Sequence, residues 1–331
     1  MFPFSLGRHG ILGINSRNLD YLFPTNPRRL YRYADCKLET KKIAQAIGVA
    51  VPEFYGVITF QNEVRNLPNI IGERKSFVVK PSQGSGGDGI VVITDVTDEG
   101  YQKASGSILE PGDLNYHIHN ILSGMFSLGG QTDKAIIEYT VQFDPVFDEI
   151  AYQGVPDIRV IVYRGVPAMA MLRLPTRASD GKANLHRGGV GVGIDLSTGT
   201  TLAGIQNNRY IEKHPETEHL LRDRKIPQWQ TILEMATKLG EKTEFGYLGV
   251  DIVLDREKGP LLLEINARPG LSIQIANREG LIPRLEAIDS ALPKLSGIQE
   301  KIAFAQETFA VGTRLHSKVT IPNAKAETLT R

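Results

Sequence analysis

Residues 78–93 read VVKPSQGSGGDGIVVI, two short β-branched runs around a glycine-rich loop. Gly84, Gly86 and Gly89 match the spacing G-x-G-x-x-G. A dinucleotide-binding fold needs those glycines to run from a strand into a helix, and here a strand follows. A phosphate-binding P-loop needs Gly-Lys-Ser/Thr at the loop's end, which is absent. A protein kinase places its lysine on the strand after the loop, whereas Lys80 precedes it. What survives is a hairpin whose amide N–H groups can close over phosphates, with the Lys80 ammonium aimed at the same charge. The alternative is a glycine turn with no ligand.

Working outward, FYGVITF (54–60) and KAIIEYTVQF (134–143) read as strands. DIRVIVYRG (157–165) and PAMAMLRLP (167–175) form a second hairpin around Arg164-Gly165. YLGVDIVLDREKGPLLLEINARPG (247–270) is two strands joined by a polar turn. DCKLETKKIAQAIG (35–48) has Leu38, Ile43, Ala46 and Ile47 on one helical face and a glycine stop. QWQTILEMATKLGEKT (228–243) and LIPRLEAIDSAL (281–292) also read as helices. Residues up to about Ala34 form an irregular lead-in, and the polar tail from Leu315 lacks a period. Strands meet as hairpins interrupted by helices, so the expected class is α+β rather than a doubly wound parallel sheet.

The bulk numbers narrow the function. The chain has 331 residues, 41% hydrophobic and 23% charged, with a net charge of +1. This is an ordinary globular composition, long enough for about two cores. The charge balance argues against a nucleic-acid footprint. A single cysteine, Cys36, excludes an internal disulfide and a thiolate metal cluster. No stretch is long enough to span a membrane, and MFPFSLGRHG lacks the apolar core of a signal peptide. A cytoplasmic location is the expectation. None of the seven histidines falls in an H-E-x-x-H pair.

Two further stretches carry chemistry. In 182–193, KANLHRGGVGVG, Arg187 offers a planar fork of donors for phosphate oxygens. Asn184 can orient a carbonyl or phosphate, and His186 could carry a proton. Tandem glycines there favour close backbone approach to a ligand; a plain surface arginine in a glycine turn is the alternative. Near residue 260, Glu264 and Asn266 are two apart on one strand and share a face. Strand pairing could bring Asp251 beside them. Two carboxylates and an amide oxygen are hard ligands suited to Mg2+. The competing reading is a buried acid satisfied by an arginine such as Arg268.

The order of these elements resembles the ATP-grasp superfamily. Residues 157–189, DIRVIVYRGVPAMAMLRLPTRASDGKANLHRGG, and 261–271, LLLEINARPGL, resemble the RimK-type α-L-glutamate ligases and their ligase-like relatives. The likeness covers about residues 35–280. It implies two α+β subdomains gripping ATP, organised as a lead-in (1–34), an ATP-grasp domain (35–285, its lid at about 50–140) and a C-terminal helix and tail (286–331). It implies that Lys37 and Lys80 contact phosphate and that Gly84, Ser85, Gly86, Gly87 and Gly89 form the mobile phosphate loop. Glu138 with the backbone from Tyr139 to Val141 would read the adenine edge. Asp157 would hold the ribose, with Asp144 and Asp148 as rivals. Arg173, Arg187 and Asn184 would surround the phosphates and acyl group. Asp251, Glu264 and Asn266 would hold Mg2+, or Mn2+ in its place. Such enzymes usually carry a further N-terminal domain, and only a few dozen residues precede Lys37. The lead-in itself, a second copy of the chain or a partner protein would then complete the acceptor site.

The activity this implies is ATP-dependent ligation of a carboxylate acceptor, small molecule or peptide, to an amine such as glutamate. It would pass through an acyl phosphate and release ADP and phosphate. The alternatives are an ATP-grasp kinase and a non-catalytic nucleotide-binding protein.

Overall fold

The computed structural model describes residues 10–84 and 86–313; Ser85, the first nine residues and the polar tail lie outside the described residues. Two antiparallel sheets carry the fold, as an α+β chain with hairpin connections requires. The smaller is ordered β1-β6-β2-β3-β4-β5 and the larger β11-β10-β9-β8-β7-β12-β13. In the small sheet, β1 is Phe54–Ile58, β2 Phe77–Pro81, β3 Val91–Thr97, β4 Gly100–Lys103, β5 Ile108–Leu109 and β6 Ala135–Glu138. In the large sheet, β7 is Asp157–Tyr163, β8 Val166–Leu174, β9 Val190–Ile194, β10 Thr201–Gln206, β11 Arg209–Ile211, β12 Tyr247–Asp255 and β13 Gly259–Asn266. The hairpins expected at 78–93, 157–175 and 247–270 are the pairs β2–β3, β7–β8 and β12–β13.

Each sheet closes its own apolar core. Phe77, Val79, Ile93 and Ile137 pack with Leu114, Ile118 and Ile121 of helix α2, Pro111–Leu122. The large sheet buries Ile158, Val160, Leu172, Val250 and Leu262 against α3, Trp229–Lys242, whose Ile232, Leu233, Ala236 and Leu239 face inward. That face is the helical spacing seen in the sequence. Helices α4, Ile282–Ala291, and α5, Ile298–Thr308, complete this layer.

Helix α1, Lys37–Ala46, departs from the expectation. It buries Thr40, Lys41 and Ala44, while Leu38, Ile43 and Ile47 are only half-buried and Ala46 is exposed. Its inward face is therefore chosen by what lies opposite, a buried acid, and not by apolar area. The lead-in expected to be irregular is a run of short helical turns from Ile14 to Asp35.

The β12–β13 pair carries a bulge. Asp251 lies opposite Glu264 and Gly249 opposite Asn266, but Ile252 lies opposite Leu262, so Leu263 is the extra residue. Directly opposed residues share a face, so Asp251, Glu264 and Asn266 come to one side.

Among the groups that stitch the lead-in to the large subdomain are two buried amides, Asn26, bonded to the Tyr247 backbone, and Gln274. Gln274 Oε1 accepts from the Leu12 and Leu281 amides, 2.8 and 2.9 Å away, and its Nε2 donates to the Leu12 carbonyl at 3.0 Å. Replacing Gln274 with alanine strands three backbone groups. The expected loss is about 2 kcal/mol of unfolding free energy, measured by urea denaturation; an unchanged midpoint would contradict this role.

Candidate active site

The cleft between the sheets is lined by acids, of which Glu138, Asp251 and Asp88 are each held by two cations. On the small sheet, Glu138 of β6 lies opposite Val78 of β2, which puts Lys80 diagonally beside it on the same face. Lys80 pairs with Glu138 Oε1, and Lys41 of α1 lies 2.8 Å from Oε2. All three side chains are buried. Burial pushes the Glu138 carboxyl up, but Lys80 and Lys41 together hold it below the usual range.

On the large sheet, strand register builds a lattice of charge. Asp157 pairs across β7–β8 with Arg173, and Asp251 pairs across β12–β7 with Arg159. Arg159 donates through Nε to Asp251 Oδ1 at 2.7 Å and through Nη2 to Oδ2 at 2.5 Å. Arg173 donates to Asp157 Oδ1 at 2.5 Å and to Asp251 Oδ2 at 2.7 Å. Burial opposes the charge on Asp251, yet the two guanidiniums bring its carboxyl down to about 2. Asp157 differs. Burial outweighs its single strong partner Arg173, with Asp251 repelling it, and its carboxyl is pushed up to about 7.

Asn266 joins this lattice to the rim. Its Nδ2 donates to Asp251 Oδ2 at 3.1 Å and to Glu264 Oε1 at 3.2 Å. Glu264 keeps 34% of its side chain exposed, and its Oε2 lies 3.6 Å from Lys37 Nζ. Lys37 also donates to the Gly84 carbonyl at 2.5 Å, so the first lysine touches both the acid cluster and the glycine loop. Arg268 does not neutralise these acids; it stacks on the Tyr31 ring, 4.2 Å from the centroid.

The glycine loop and the arginine loop meet across the cleft. Gly86 and Gly87 have φ of +64° and +79°, conformations that side chains resist. A β-carbon on Gly86 would lie 3.6 Å from Asn184 Nδ2, and one on Gly87 3.3 Å from the Lys182 side chain. Asp88 receives Arg187 at 2.6 Å and Lys182 at 3.3 Å. Asn184 Oδ1 caps the turn 185–187 by accepting from the His186 amide at 3.0 Å. His186 is exposed.

The segment after Glu138 is fixed by its backbone. The Tyr139 amide donates to the Glu53 carbonyl and the Gln142 amide to Asp255, both at 2.9 Å. The Val141 amide donates to no group among the described residues. Of the three acids weighed for the ribose, Asp157 sits in the arginine lattice, Asp144 caps the turn Pro145–Phe147 through the Val146 amide, and Asp148 is exposed.

Lys37, Glu264, Asn266, Asp251 and Arg173 thus form one connected group, and Asn184 and Arg187 meet the glycine loop beside it. Among the described residues no group of three or more His, Cys, Asp and Glu could hold a metal ion. The donor set at Asp251, Glu264 and Asn266 nevertheless fits a hard cation. Asp251 Oδ1 accepts from Arg159 alone and keeps a lone pair, whereas Oδ2 is filled by Arg159, Arg173 and Asn266; Glu264 is open, and the Asn266 amide presents Oδ1 once turned over. Three residues of this cleft carry no sequence signal of their own: Asp88, Arg159 and Lys182. Their partners lie far along the chain, and only the sheet register and loop approach reveal them. Lys41, four residues after Lys37, could have been found as the same helical face repeated.

Asp157 has a consequence for stability. Between its ordinary value of 3.8 and about 7 the folded chain keeps a proton that the unfolded chain releases, so stability falls as pH rises through that window. Asp157→Asn should flatten this slope in denaturation curves taken at pH 4 to 7 relative to the parent chain. Equal slopes would show that Asp157 is ionised throughout.

Comparison with known proteins places this architecture. The chain resembles D-cycloserine synthetase DcsG at 16% identity, over 81% of this chain and 73% of that one, with a TM-score of 0.47. It resembles D-alanyl-alanine synthetase A from Vibrio cholerae at 12% identity over 85% of this chain, TM-score 0.46. It also resembles the ATP-grasp ligase PsnB bound to a minimal precursor, at 14% identity over 82% of this chain, TM-score 0.43. The chain spans 66% and 64% of the lengths of the last two. No curated protein sequence matches it significantly. Residues 16–290 match the family model described as sugar-transfer associated ATP-grasp, and the chain belongs to that family.

Proposed function

We propose that the chain is an ATP-dependent carboxylate–amine ligase. The observation that carries this reading is that Lys37 joins the glycine loop to the group formed by Asp251, Glu264 and Asn266. Lys37 links the glycine loop to Glu264, and Arg187 meets the same loop from the opposite side. A nucleoside triphosphate bound there would have its charged tail between fixed ammonium and guanidinium groups, with the Val141 amide available to the adenine edge. Little covalent work falls to the protein; positioning and charge neutralisation suffice.

In the proposed reaction a carboxylate oxygen of the acceptor attacks the γ-phosphorus, and ADP leaves. The amine nitrogen then attacks the acyl carbon, phosphate departs, and the nitrogen loses a proton to form the amide. Lys80 and Lys37 hold the phosphates, and Arg187 with Asn184 steadies the transferring group. Arg159 and Arg173 keep Asp251 ionised and oriented. Asp251, Glu264 and Asn266 would hold Mg2+ or Mn2+, which when bound neutralises charge on phosphate oxygens. The sequence likeness to RimK-type ligases supports glutamate or a similar amino acid as the amine. The family's description as sugar-transfer associated supports an acceptor acid carried on a saccharide.

The test is a coupled assay of ADP and phosphate release with pooled uronic acids, peptides and amino acids, followed by mass spectrometry of the product. Ligation releases both ADP and phosphate, whereas phosphoryl transfer to an alcohol releases ADP alone. Lys80→Met should abolish measurable nucleotide binding, and Arg187→Ala should lower kcat by about 100-fold or more while ADP still binds. Nucleotide binding without turnover on any acid and amine pair would count against the ligase reading.

A further inference from the structure

Helix α1 sends two lysines, one turn apart, to opposite walls of the cleft. Lys37 reaches the acid cluster of the large sheet, and Lys41 reaches Glu138 of the small one. The Lys41 ammonium is buried, anchored 2.8 Å from Glu138 Oε2 and 3.3 Å from the Pro52 carbonyl. Lys80 occupies the other oxygen of the same carboxylate. One buried acid therefore serves two ammonium groups, one more cation than its charge requires. Burial draws the Lys41 ammonium down to about 8, with Glu138 opposing that fall, so the pair keeps Lys41 charged at neutral pH.

The surplus has a purpose if Lys80 changes partner. An ammonium that turns from Glu138 to a phosphate leaves a buried carboxylate behind, and a buried carboxylate without a partner is strongly disfavoured. We infer that Lys41 is a positioning residue that neutralises Glu138, so that the Lys80 ammonium can leave this carboxylate for the nucleotide phosphates. Without Lys41, Glu138 would have Lys80 as its remaining counter-charge, and the nucleotide would have to compete with it. This rests on the nucleotide reading above.

The test is calorimetric titration of ADP with Mg2+ into the full chain and its variants, with thermal melts as the control for folding. Lys41→Met should weaken binding about tenfold or more, and Lys41→Arg should stay within about threefold of the parent. In a Glu138→Gln background the acid to be neutralised is gone, so adding Lys41→Met should change affinity by no more than about twofold. An equal loss in both backgrounds would make Lys41 a general electrostatic contributor and overturn the inference, as would parent-like binding by Lys41→Met. Should Lys41→Met alone fail to fold, Lys41→Gln takes its place in both backgrounds, with the same outcomes read. Lys80→Met tests the separate point: its loss of binding beside an indifferent Lys41→Met would sink only the role of Lys41. A parent chain that binds no nucleotide would sink both.

Discussion

A carboxylate removed from water must keep a positive partner or lose its charge, and this cleft is organised by that requirement. Glu138 holds Lys41 and Lys80; Asp251 holds Arg159 and Arg173. Breaking such a pair from one side costs about 3–5 kcal/mol, because the stranded charge stays buried. The acids therefore act as fixed posts that keep cations concentrated at the cleft. The inward face of α1 follows from the same rule: Lys41 is turned in by Glu138, at the expense of burying Ile43 fully.

The two sheets divide the labour. The small sheet supplies Lys80 and the glycine loop on a hairpin with its own apolar core. The large sheet supplies acids and arginines on central strands, where register with both neighbours is set by buried Val and Ile pairs. Contacts between the two run through α1, whose Lys37 reaches the Gly84 carbonyl and Lys41 reaches Glu138, through Asp88 with Arg187 and Lys182, and through the 139–144 segment with the end of β12.

Much of this was legible in the sequence because it is local. The β2–β3 hairpin follows from β-branched runs around glycines, and α3 from its 3.6-residue spacing. The shared face of Glu264 and Asn266 follows from their separation of two. What was not legible depends on register across distant strands. That Asp251 faces Arg159 and also receives Arg173, so that two arginines rather than Arg268 satisfy it, is set by pairing between segments up to about ninety residues apart. The apolar pattern of α1 misled for the same reason, since the decisive partner is a single acid on β6.

Leu263, the one unpaired residue of β13, deserves a last consequence. Side chains on a strand alternate, so the stretch Gly259–Leu262 and the stretch Glu264–Asn266 are out of phase only because this residue intervenes. Excising it would let the hydrogen-bond ladder with β12 run on unbroken, the apolar half still seated. Glu264 would then follow Leu262 directly and still stand opposite Asp251, with Asn266 on the same face. The bulge thus lets β13 carry one residue more than its partner strand while Asp251, Glu264 and Asn266 stay on one side of the sheet, whereas pairing Leu263 itself with Asp251 would send Glu264 to the other.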